Sequence, residues 1–129
     1  MRLTAYAIQY IYNPMKQIET FQMLADETRL RAMALMQAQG ELCVCELVAA
    51  LDLPQPKISR HMTALRNAGL LTSRRDAQWV FYALDPDLPD WQHQVVNGAL
   101  AGVQDEPILK QDAARLKDMN NRPARCDAA

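Results

Sequence analysis

The chain has 129 residues, with 14 Lys and Arg against 15 Asp and Glu for a formal net charge of −1, a balance that excludes an indiscriminate polyanion binder. Half of the residues are hydrophobic but only 6% are aromatic, so aliphatic side chains must build the core, and the size fits one domain that would gain from dimerisation. No apolar run approaches the roughly 20 residues that cross a bilayer, and no signal core opens the chain; we expect a cytoplasmic protein with no membrane attachment, whose three cysteines form no lasting disulfide.

Residues 1–14 read as an N-terminal arm or short helix, punctuated by Asn13-Pro14. A core follows over 15–104, and 105–129 is expected to add a C-terminal helix and a flexible tail. From Met15, the spacing of Ile18, Phe21, Met23, Leu24 and Ala25 predicts a helix; after Asp26 a second one runs through Leu30, Met33, Ala34 and Met36 and stops near Gly40. Cys43 to Leu51 is a short helix, closed by Leu53-Pro54-Gln55-Pro56. Pro56 suits the first turn of the next helix, Gln55 to Ala68, whose stripe of Ile58, Met62 and Leu65 faces the core and whose end is marked by Gly69. Leu70 to Arg75 and Trp79 to Leu84 then predict a β-hairpin. A helix from Trp91 to Val103 and a more polar one after Pro107 end the ordered pattern, and the tail from Asn120 is expected to fray.

A short helix, a proline-bounded turn, a longer helix and a hairpin make a mainly α protein with a small β-hairpin, in the order of a winged helix-turn-helix. From Leu53 to Arg75 there is no acidic residue, while Lys57, Arg60, Arg66, Arg74 and Arg75 are positive and His61 lies among them. The Gln55–Ala68 helix would enter a major groove with Gln55, Lys57, Ser59, Arg60, His61, Thr63 and Arg66 on or beside its outer face. Arg74 and Arg75 of the hairpin would meet the flanking backbone. The expected partner is double-stranded operator DNA. The alternatives are a solvated basic face or a winged helix used only as a protein-interaction module.

These segments resemble a known family, the ArsR/SmtB metal-responsive repressors. The resemblance spans about residues 18 to 100. It is carried by Leu24-Ala25-Asp26-Glu27-Thr28-Arg29-Leu30-Arg31, Glu41-Leu42-Cys43-Val44-Cys45-Glu46-Leu47, Leu53-Pro54-Gln55-Pro56-Lys57-Ile58-Ser59-Arg60-His61-Met62 and Leu65-Arg66-Asn67-Ala68-Gly69-Leu70-Leu71. The cysteine segment is similar to the arsenite-sensing branch, and that likeness implies a homodimer that sits on its operator until As(III) or Sb(III) binds. No organic cofactor is implied. The branch often carries a further cysteine where this chain has Val48. Cys126, in the tail, is the one other thiol to complete a site with Cys43 and Cys45, from the same or the partner subunit; solvent or a small thiol is the other way to complete it.

Thiolates suit a soft trivalent ion, and a helix N-terminus favours the thiolate form. Residues i and i+2 of a regular helix point about 200° apart, so one ion shared by Cys43 and Cys45 is expected to unwind the first turn, and the shift would pass to the neighbouring recognition helix. Other readings are two ordinary core cysteines, or a thiol-redox switch in which oxidation joins one of them to Cys126, since a Cys-x-Cys ring is small. A zinc site on the dimerisation helix would have Asp90 and His93 but no second histidine there. No phosphate loop and no nucleophile–base pair is evident, so we expect no enzyme; a cysteine-based reductase is the nearest enzymatic reading. Apolar faces on the helices near Met15 to Ala25 and Trp91 to Val103 are expected to form the dimer.

Overall fold

The computed structural model describes residues 15–123. The N-terminal arm and Cys126 lie outside the described residues. Asp26 starts a helix where a side chain can take an orphan amide: its Oδ1 accepts from Arg29 N at 3.0 Å. Helix α1 (Lys16–Leu24) therefore ends just before α2 (Glu27–Gln39), and Gly40 closes α2 with φ +82°, a conformation open to glycine at little cost. Arg29 fixes the corner between them, donating from Nε to Met23 O at 2.7 Å and from Nη2 to Gln22 O at 2.8 Å.

Strand β1 (Leu42–Cys43) follows, then α3 (Val44–Leu51) and α4 (Gln55–Asn67), joined by a turn in which Asp52 is left-handed at φ 55°. Ile58, Met62 and Leu65 of α4 are fully buried, as their spacing predicts. After Gly69, also at positive φ, come β2 (Leu71–Asp76) and β3 (Trp79–Leu84), with Ala77 at φ 55° in the turn. The sheet is antiparallel with order β1-β3-β2. The hairpin is legible in the sequence; β1 is not, because two residues are too short for a period. Leu42 pairs with Tyr82 and Cys43 with Phe81, which adds a third strand to the wing.

Helix α5 (Asp90–Val103) carries α1, with Gln92 Nε2 donating to Thr20 Oγ1 at 2.9 Å in a buried contact. Val96 and Leu100 of α5 turn into the core, and Met15, Ile18 and Phe21 at the start of and along α1 are exposed. On α5, Trp91, Val95, Ala99 and Val103 are only half-buried, so apolar surface remains on both helices. Helix α6 (Pro107–Lys117) returns along α2 and α3. No described helix is long and apolar enough to cross a membrane.

Candidate sensor and nucleic-acid interface

Cys43 is the N-cap of α3, not a helical residue: its φ −85° and ψ 166° are extended because it also belongs to β1. The regular-helix angle therefore does not govern its side chain. Its sulfur turns over the first turn, accepts from Glu46 N at 3.4 Å and is joined to the sulfur of Cys45, with Cα atoms 5.5 Å apart. The angle from which unwinding on ion binding was expected therefore does not describe this pair. The joined sulfurs also depart from the expectation of no lasting disulfide, because the extended Cys43 backbone brings the two side chains together; Cys126 lies outside the described residues. Cys43 is fully buried and Cys45 half-buried, so the pair is open to solvent on the Cys45 side.

Glu46 completes the cap. Its side chain is wholly buried, accepts from Cys43 N at 2.9 Å through Oε1, and accepts from Arg122 Nε at 2.5 Å through Oε2. The reciprocal pattern is a capping box with cysteine where serine or threonine is usual. Cys43-Val44-Cys45-Glu46 is its signature in the sequence, disguised because a thiol replaces the hydroxyl. Arg122 has no such signal, since only folding brings the tail across α3. Val48 is half-buried against the core and offers no ligand atom. Among the described residues, no three or more His, Cys, Asp or Glu side chains are gathered to hold a metal ion, and His93 is exposed on α5.

The outer face of α4 presents Gln55, Arg60, Thr63 and Arg66 as exposed side chains, with Lys57 and Ser59 half-buried beside them, and Arg75 is exposed on the wing. Two of the expected DNA-contacting side chains are engaged by other residues in this DNA-free structure. His61 turns toward α2, where Arg29 Nη1 donates to its Nδ1 at 3.3 Å. Burial pushes its imidazole below the ordinary 6.5; the nearby Asp26 carboxylate opposes this, and Arg29, Lys57 and Arg60 reinforce it. Asp26 is held below 3.8: burial alone would raise it, but the Arg29 amide and the His61 and Arg29 charges prevail. Arg74 forks onto Glu41, Nε to Oε2 and Nη2 to Oε1 both at 2.6 Å.

The far end of α3 is held as firmly. Arg31 donates to Leu51 O at 2.9 Å and Arg115 to Ala50 O at 2.7 Å, the last carbonyls of the helix, and both arginines grip Asp112. Asp112 is 1% exposed. Its hydrogen bonds hold Arg31 more firmly protonated than usual. Guanidinium groups at a helix C-terminus also answer its dipole.

Comparison with known proteins agrees with this geometry. The family model described as bacterial regulatory protein, arsR family, matches residues 26–73, which run from the α2 cap through the recognition helix into β2. The arsenic resistance transcriptional regulator ArsR2 of Pseudomonas putida is 49% identical over 107 residues, covering 83% of this chain and 91% of that one. The arsenical resistance operon repressor of Escherichia coli is 50% identical over 82 residues, 64% of this chain and 70% of its own. Among solved structures, HlyU from Vibrio cholerae superposes with a TM-score of 0.57 at 30% identity, covering 69% of this chain and 89% of that one. This chain is a winged helix-turn-helix protein and belongs to the ArsR family of bacterial transcriptional regulators.

Proposed function

We propose that the chain is a metalloid-responsive repressor, which binds operator DNA as a homodimer through α4 and the wing and leaves it when As(III) or Sb(III) is bound by Cys43 and Cys45. The observation that carries this is the pairing of the two sulfurs at the N-cap of α3, the helix that leads directly into the recognition helix. Two of its relatives are named for arsenic resistance. A reductant such as a small thiol or a phosphine first supplies two electrons and the sulfurs take up two protons to become thiols; arsenite then exchanges two hydroxides for sulfur, each thiol proton leaving with a hydroxide as water, to give a two-sulfur chelate. The ligand must bind the DNA-incompetent shape more tightly, by about 1–3 kcal/mol in typical linked sites. Its action is stoichiometric binding in the cytoplasm, without turnover.

The position of the tail favours Cys126 of the same subunit as third thiolate. Arg122 is anchored on Glu46, in the first turn of α3, and four further residues reach at most about 14 Å. Phosphate and base-edge contacts are assigned to Gln55, Lys57, Ser59, Arg60, Thr63, Arg66 and Arg75.

The test is operator binding titrated with sodium arsenite under excess phosphine reductant. Wild type is expected to dissociate; Cys43→Ser and Cys45→Ser are expected to stay bound at arsenite levels that empty the wild-type complex, and Cys126→Ser to need more arsenite. A wild-type complex indifferent to arsenite would sink the proposal. The joined sulfurs also favour a second reading, a redox switch closed by oxidation. It predicts release by a disulfide-forming oxidant and none by arsenite under reductant.

A further inference from the structure

The sensor cysteines stand on the wing's own sheet. Cys43 pairs with Phe81 on β3, and Phe81 pairs with Arg74 on β2, so one row across the three strands runs from a sensor cysteine to a wing arginine. Phe81 is fully buried in the middle of that row. The Arg74 guanidinium lies 4.8 Å from the Phe81 ring centroid and reaches past it to Glu41, two residues before Cys43. Its remaining nitrogen, Nη1, is 3.6 Å from Asp76 Oδ2.

A fork onto a carboxylate and a fork onto a phosphate use the same pair of donors, so Arg74 can serve one at a time. Strand β1 has only two residues, too few to hold its place by ladder hydrogen bonds alone. Leu42 anchors it in the core, and the Cys43 side chain, tied to Cys45 and accepting from Glu46 N, adds the hold that depends on the cysteine pair.

We propose that Arg74 is a positioning residue that reports the state of the cysteine pair to the DNA. With the pair closed, β1 is held against β3, and Glu41 keeps Arg74 folded back over Phe81. With the pair open, β1 loosens, Glu41 withdraws and Arg74 turns out to a phosphate. The signal thus travels along the wing sheet as well as through the packing of α3 on α4. The inference rests on the metalloid reading above.

It is tested on the full chain under reductant, measuring operator affinity against salt with and without sodium arsenite. In wild type, arsenite should make the dependence of log K on log salt shallower by about 0.9 for each phosphate that Arg74 gives up, one per protomer. Glu41→Gln keeps the shape but removes the charge. It should bind arsenite with wild-type stoichiometry yet hold the operator at least about fivefold better in its presence. Arg74→Ala should show the same shallower slope without arsenite and a smaller arsenite effect, which a merely structural role would not produce. If Arg74→Ala does not fold, Glu41→Gln carries the test alone. Glu41→Gln releasing the operator over the wild-type arsenite range, or folded Arg74→Ala with the wild-type ligand-free slope, overturns the proposal. Indifference of the wild-type complex to arsenite would instead remove the effector reading beneath it.

Discussion

Cys43 works at two levels because of one backbone choice. As an extended N-cap it completes a strand, starts a helix and frees its sulfur to meet Cys45. His61 shows a comparable economy on the recognition helix, where it joins α4 to α2 through Arg29. Because the folded chain depresses the His61 pKa, the unfolded chain takes up a proton that the folded one refuses. Stability from this group is complete above about 6.5 and is lost as pH falls below it; Asp26, also depressed, adds a loss of the same sign near and below 3.8. Urea midpoints recorded from about pH 7.5 to about pH 5 should fall in wild type. In His61→Gln the fall near 6.5 should disappear; an unchanged profile would count against the buried His61 imidazole as its source.

At the scale of elements, α3 is a short helix gripped at both ends from the C-terminal part of the chain. Arg122 reaches Glu46 in its first turn, and Arg115 with Arg31 reaches its last carbonyls. Eight residues form a marginal helix on their own, so this clamp makes α3 a rigid lever between the cysteines and α4. Removing Asp112 leaves two guanidinium groups facing each other without their shared carboxylate. Asp112→Ala should cost about 3 kcal/mol, the lower part of the range for breaking a buried pair from one side, read as a lower urea midpoint at unchanged m-value. Arg115→Ala, at a more exposed position, should cost about 1 kcal/mol or less.

In the whole molecule, the exposed stripe of Met15, Ile18 and Phe21 on α1 is where a second copy is expected to sit, next to α5. Phe21→Glu should sediment as a 14.6 kDa monomer and lose operator affinity while still binding arsenite; a variant that stays dimeric would move the interface elsewhere. The stripes that face the core in α4, the proline-bounded turn, the glycines at the ends of α2 and α4, the hairpin and the basic face were readable in the chain, because helix period, turn chemistry and local charge are properties of neighbouring residues. The cysteine segment was visible as well, but not that Cys43 would stand outside the helix and join Cys45. Tertiary structure alone decided that β1 exists, that Arg74 and His61 turn inward, that Arg31 and Asp112 meet across 81 positions, and that the tail crosses α3 at Glu46. Each of these depends on contacts between residues far apart in the chain, where a carboxylate or guanidinium carries no mark of the partner that burial will give it.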